Sequence, residues 1–131
     1  MPTEETPPAR SMHIGEVAER TELSLRSLRH WDEVGLLRPS GRTDGGFRLY
    51  TEVDVERILA VRRMKPLGFT LGEMKAALLD LETLGTAGAD HAAARERLAL
   101  VQREAVERRR KLVTQLAMAD EFIAIVEQRL A

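Results

Sequence analysis

The sequence predicts a mainly α fold: a winged helix-turn-helix domain followed by a long C-terminal coiled-coil dimerisation helix. Three observations predict it. Aromatic residues make up only 4% of the 131 positions, too few for the usual core of a β-sandwich or barrel. Between residues 11 and 81, short helical patterns alternate with turn signals. From Asp90 to the end there is neither Gly nor Pro, and Ala, Leu, Arg, Glu and Gln dominate. The expected organisation is a disordered tail over 1–10, a folded domain over 11–81, a linker over 82–90 and one helix over 91–131.

The tail holds three of the five prolines plus Glu4 and Glu5, a composition that cannot bury enough surface to fold. A first helix over 14–20 places Ile14, Val17 and Ala18 on one face. Thr21-Glu22-Leu23 forms a tight corner. Ser24 then offers its hydroxyl as N-cap to a second helix over 25–33, and Gly35 suits the left-handed position that closes it. Pro39 and Gly41 open an irregular stretch in which Gly45-Gly46 can reverse the chain. The alternating run Phe47-Arg48-Leu49-Tyr50 supplies one strand of a small hairpin. Thr51 with Asp54 predicts a capping box for a third helix over 52–65, which Pro66 and Gly68 interrupt. Thr70 with Glu73 predicts another for a fourth helix over 71–81. The linker 82–90 reads ETLGTAGAD. The final helix, roughly 40 residues long, would reach about 60 Å at 1.5 Å per residue.

Charge and composition narrow the function. Lys and Arg number 20 against 21 Asp and Glu, a net charge of -1, so a nucleic-acid binder must gather its cations on one face. The absence of cysteine removes disulfides, thiolate metal sites, iron–sulfur clusters and thiol redox switching. Histidines at 13, 30 and 91 have no metal-ligand spacing, so no cofactor or metal is expected. No apolar run reaches the ~18–20 residues of a membrane span, and the first ten residues lack the features of a secretory signal. A soluble, cytoplasmic protein is expected. No paired carboxylates, nucleophile with its base, or phosphate loop with its lysine is present, so no enzyme is expected.

Two short helices joined by a three-residue corner and followed by a hairpin suit double-stranded DNA. A helix of about ten residues fits the major groove while a hairpin reaches the neighbouring backbone. Arg26 and Arg29 share one side of the second helix. Arg38, Arg42 and Arg48 surround the hairpin with only Asp44 among them. Arg57, Arg62, Arg63 and Lys65 run without an acid into the loop at 66–69. The bland alternative is that each arginine is a solvated surface charge. What favours DNA is three basic clusters on three elements that would face one duplex.

Four motifs stand in register. They are Ile14-Gly15-Glu16-Val17-Ala18, Leu28-Arg29-His30-Trp31-Asp32-Glu33-Val34-Gly35-Leu36-Leu37-Arg38-Pro39, Gly46-Phe47-Arg48-Leu49-Tyr50, and Leu67-Gly68-Phe69-Thr70-Leu71-Gly72-Glu73-Met74. Together they resemble the N-terminal DNA-binding domain of the MerR family of bacterial transcription regulators, over about residues 12–81. The resemblance implies that Ser24 and Arg26 open the recognition helix, where bases or adjacent phosphates are read. It places Arg29, His30 and Trp31 where the family's Arg-Tyr-Tyr grips the backbone. Arg42, Arg48 and Tyr50 match its first wing; Arg63, Lys65 and the Gly68-Phe69 turn match its second. It also implies that two copies bend and untwist a promoter with an over-long spacer, realigning the elements read by RNA polymerase.

Some positions depart from the family. His30-Trp31 replaces the tyrosine pair and brings a titratable ring beside phosphate. Glu22 fills a corner usually held by glycine, where left-handed backbone carries strain. His13 stands where a Thr or Ser cap is common and should cap less well. Leu49, Leu67, Phe69 and part of Trp31 are expected in the core.

In the last helix, apolar positions recur at Ala94, Leu98, Val101 and Ala105. They resume, one residue out of phase, at Leu112, Leu116, Ala119, Ile123, Val126 and Leu130. A stripe this long needs a partner, and a second copy is the simplest. The resembled family pairs such helices antiparallel. Glu104 and Glu107 lie four residues ahead of Arg108 and Lys111, which favours a solvated ion-pair face over a nucleic-acid patch. Metal- or oxidant-sensing members use cysteines and drug-sensing members an appended domain; neither is expected in a chain that ends at Ala131. The alternative function is an architectural or adaptor DNA-binding protein, excisionase-like, whose C-terminal helix recruits another protein.

Overall fold

The computed structural model describes residues 10–88 and 90–131. The tail expected over 1–10 lies, Arg10 apart, outside the described residues. The chain divides into two units, Met1–Leu78 and Leu79–Ala131.

In the first unit, a strand absent from the sequence reading comes first. β1 (Met12–His13) pairs antiparallel with β3 (Arg48–Tyr50), in register Met12 to Tyr50 and His13 to Leu49. β2 (Gly41–Arg42) pairs with the other edge of β3, giving the order β1-β3-β2. Two residues carry no hydrophobic period, so nothing local announces β1. Its pairing draws His13 into extended backbone ahead of α1 (Ile14–Thr21), and the imidazole makes no cap hydrogen bond, as expected.

α1 buries Val17 and Thr21 completely, and the Thr21 hydroxyl is satisfied by donating to the Val17 carbonyl at 2.7 Å. The corner then turns through Glu22, whose φ of 57° makes it the non-glycine residue in left-handed backbone among those described. That conformation costs an L-residue roughly 1–2 kcal/mol. α2 (Leu25–Glu33) starts at Ser24, whose hydroxyl accepts from the Ser27 amide at 3.0 Å. Leu28, Trp31 and Asp32 fall on its buried face, while Arg26, Arg29, His30 and Glu33 are exposed. Gly35 closes it at φ 73°.

The hairpin turns through Asp44 and Gly45, with the Gly46 amide donating to the Thr43 carbonyl and the Thr43 amide to that of Phe47, each at 2.8 Å. α3 (Glu52–Met64) carries the full Thr51 and Asp54 capping box. Val55, Ile58 and Val61 form its buried stripe. A short 3-10 turn (Lys65–Leu67) contains Pro66, and Gly68 closes it at φ 82°. Phe69 is buried as expected, whereas Leu49 and Leu67 are half-buried. α4 (Leu71–Leu84) has the Thr70 and Glu73 box, with reciprocal bonds of 2.8 and 3.2 Å. It runs past the expected end at 81, so the first residues of the expected linker are helical.

In the second unit, α5 (His91–Leu130) spans 40 residues, and the Asp90 carboxylate caps it by accepting from the Ala92 amide at 3.0 Å. The Arg97 guanidinium grips the buried Asp80 carboxylate from the end of α4, Nη2 to Oδ1 at 2.7 Å and Nε to Oδ2 at 3.0 Å. Ala94 is buried, and Leu98, Val101 and Ala105 are half-buried. From residue 111 to the end every side chain is exposed, including Leu112, Leu116, Ile123, Val126 and Leu130. Glu104 pairs with Arg108 at 2.9 Å, as expected. Glu107 pairs with Arg110 at 3.1 Å, one residue short of the Lys111 expected. Both spacings face neighbouring turns of a helix, so the choice is one of rotamer. No helix among the described residues is long and apolar enough to cross a membrane.

Candidate nucleic-acid interface

The exposed side of α2 and the 3-10 turn after α3 together form a cleft of about 580 Å³ lined by Arg26, Ser27, Arg29, His30, Trp31, Glu33 and Lys65. Five of the residues expected to meet DNA therefore share one surface. The spacing of Arg26, Arg29 and His30 puts them on the face opposite Leu28 and Trp31. Packing of that apolar face fixes the direction of the cations. Lys65 arrives from a distant part of the sequence, carried over the Trp31 ring by the turn at Pro66, with Nζ 5.8 Å from the ring centroid. A second hollow of about 340 Å³, lined by Leu23, Ser27, Trp31, Arg62, Lys65 and Pro66, adjoins it.

The cations sort into engaged and available groups. Arg62 donates to Glu22 at 3.0 Å, and Arg57 lies 3.8 Å from Asp54. Arg20 makes a two-pronged contact with Glu52, at 2.7 and 2.8 Å. Arg26, Arg29, Arg63 and Lys65 make no ion pair among the described residues. An unpaired, exposed guanidinium beside an ammonium is the arrangement that binds phosphate oxygens by charge-assisted hydrogen bonds.

The remaining expected residues are placed differently. Ser24 is committed to its helix cap. Arg63 is exposed but does not line the cleft. Tyr50 requires a correction. Expected in the first wing as a DNA contact, it is 1% exposed, because pairing of β3 with β1 turns its ring into the core. Its hydroxyl has no hydrogen-bond partner among the described residues, and burial pushes its ionisation upward. Trp31, 4% exposed, likewise serves mainly as core.

Arg42 and Arg48 are also changed in character. Both reach the same carboxylate oxygen, Asp32 Oδ2, Arg42 through Nη2 at 2.8 Å and Arg48 through Nε at 2.7 Å. Burial pushes the Asp32 carboxyl upward, but the hydrogen bonds from Arg48 and Arg42 outweigh it, holding it below the usual carboxylate range. Sequence reasoning counted only Asp44 near these arginines. The available signal was the Leu28, Trp31, Asp32 spacing, which puts an acid on the buried face of α2 and demands a cationic partner.

Among the described residues, no cluster of three or more His, Asp or Glu could hold a metal ion. The profile of the family described as MerR HTH family regulatory protein matches residues 12–81. That family consists of regulators, not enzymes. The nodulation protein NolA of Bradyrhizobium elkanii is 44% identical over 73 residues, covering 56% of this chain and 33% of its own length. The chain thus spans about a third of the length of the curated relatives it first matches. A crystal structure of a MerR family transcriptional regulator from Bacillus cereus superposes with a TM-score of 0.64 at 25% identity, over 91% of this chain and 79% of that one. The fold also matches HiNmlR, a MerR family regulator lacking the sensor domain and bound to promoter DNA, with a TM-score of 0.68 at 23% identity, over 86% and 80% of the two chains.

Proposed function

The chain belongs to the MerR family of helix-turn-helix regulatory proteins, and from that membership we propose that it is a homodimeric, sequence-specific DNA-binding transcription regulator. The observation that carries the reading is the cleft on α2, where Arg26, Arg29, His30 and Lys65 converge. In this reading α2 enters the major groove, Arg26 lies against base edges or the adjoining phosphate, and Arg29 with Lys65 grips the backbone. Arg63 and the hairpin, through Arg42 and Arg48, approach the flanking strands.

One copy offers few phosphate contacts and binds weakly in salt; two copies multiply them. The exposed apolar residues of α5 support pairing. Leu112, Leu116, Ile123, Val126 and Leu130 are each at least 38% exposed on a single chain. Pairing through this stripe, with Leu98 and Val101 continuing it, sets two α2 clefts on a palindromic site. Such a dimer distorts promoter DNA to place the RNA polymerase recognition elements, as family membership implies, and works in the cytoplasm.

Selection of bound fragments from genomic DNA tests this. Two-fold symmetric sites with half-sites about one helical turn apart, lying within promoters, are expected. Asymmetric sites bound by single copies would move the reading to the adaptor class.

A further inference from the structure

We propose that Asp32 is a positioning residue for sequence discrimination: it locks the hairpin to the recognition helix by holding Arg42 and Arg48 on one buried carboxylate oxygen. The inference rests on the DNA-binding reading above and deepens it.

A carboxylate buried on a helix loses its hydration, so the presence of Asp32 there needs a cationic partner. Asp32 is 8% exposed although it lies one turn along from Arg29, because Arg42 and Arg48 of the hairpin cover it. It therefore acts inward. Its two partners come from two different strands, Arg42 from β2 and Arg48 from β3, and they are direct cross-strand neighbours. Like charges in that position push apart. The shared oxygen joins them instead, at 2.8 and 2.7 Å. Arg42 also donates through Nη1 to the Gly46 carbonyl at 3.3 Å, so the same guanidinium reaches the reversal of the hairpin. One carboxylate thus ties α2, both strands and the turn together.

Two consequences follow for DNA. The orientation of the wing relative to α2 is fixed, so backbone contacts outside the groove are made in one register only. One anion also offsets two cations, which reduces the wing's indiscriminate attraction for phosphate. Both effects raise the preference for a cognate site over random duplex.

The test compares the full chain and Asp32→Asn on a selected site and on random duplex of equal length, across a salt series. Asp32→Asn is expected to bind random duplex as well as or better than the parent, with a salt slope steeper by about 1–2 as two arginines are released. Cognate affinity should fall by about tenfold, within the range one lost base-pair match produces. An unchanged ratio of cognate to random affinity would overturn the proposal. A parent chain that prefers no duplex over another would instead overturn the DNA-binding reading beneath it. Arg42→Gln leaves Arg48 on the carboxylate and provides the second measurement. In that background Asp32→Asn should cost less of the ratio than it does alone; full additivity would show that Asp32 does not act through Arg42, and so does not lock the two strands together as proposed. Should Asp32→Asn fail to fold, Arg42→Gln alone must still lower the ratio, and an unchanged value overturns the proposal.

Discussion

The ammonium of Lys65 lies over the indole of Trp31, with Nζ 5.8 Å from the ring centroid. The contact joins the 3-10 turn to α2 and brings a cation into the cleft that Arg29 also lines. Cation–π attraction of this kind contributes about 0.5–1 kcal/mol at exposed sites.

Trp31 is the single tryptophan of the chain, so its fluorescence reports the surroundings of this one ring, the Lys65 contact included. Phosphate entering the cleft is expected to draw Lys65 off the ring. Titration with duplex DNA is expected to change the emission intensity in proportion to saturation. In Lys65→Met the change should be much smaller. Constant emission in the parent chain through saturation would place the duplex elsewhere.

Arg26 and Arg29 differ in what they are expected to read. Arg29→Ala should weaken cognate and random duplex about equally and reduce the salt slope by about 1. Arg26→Ala should in addition relax preference at one position of the site, by about 1–3 kcal/mol of lost discrimination. Competition binding at fixed salt checks both. Unchanged affinity of both variants would remove α2 from the interface.

Acid is expected to destabilise the fold in a defined window. In Asp80 the hydrogen bond from Arg97 holds the carboxyl below its ordinary value, and in Asp32 the hydrogen bonds from Arg48 and Arg42 prevail over burial to the same effect. Each group then binds its proton more readily unfolded than folded. Their contribution is complete above the ordinary aspartate value near 4 and is lost as pH falls through the depressed folded values. Thermal melts should hold level down to about pH 4 and then drop. Asp80→Asn should melt lower at neutral pH and lose less on acidification. An identical acid profile for parent and variant would show that the Asp80 contact with Arg97 does not contribute.

Glu22 is held at φ 57° by the corner between α1 and α2. Glu22→Gly relieves that backbone at the cost of an exposed contact with Arg62, which stabilises little. The variant is expected to be more stable by about 1 kcal/mol, a rise of several degrees in Tm. A lower Tm would mean that the ion pair outweighs the strain.

The elements legible from sequence are those specified within a few residues. The Ser24 cap, the Thr51 with Asp54 box and the Thr70 with Glu73 box each close over three residues, so residue type and spacing suffice. Gly35 and Gly68 mark helix ends for the same reason. β1 was not legible, because Met12 and His13 form a strand only through their partner β3. Tyr50, which the resemblance puts in the first wing, lies in the core for the same reason: alternation over 47–50 fixes two faces, and only pairing with β1 decides which one is covered. The pairing of Asp32 with Arg42 and Arg48 joins residues 10 and 16 apart across three elements, beyond any local rule. The MerR motifs contain Arg29, His30 and Trp31 of the cleft, while the division of the first unit's cations into paired and available emerges only from the fold.

Mass measurement of the protein on a selected duplex, by sedimentation or light scattering at low ionic strength, tests the central claim most directly. The account predicts two chains of 14.7 kDa per site, with Leu116→Glu on α5 abolishing the complex while the first unit remains folded. A single chain per site, or no complex at all, would contradict it.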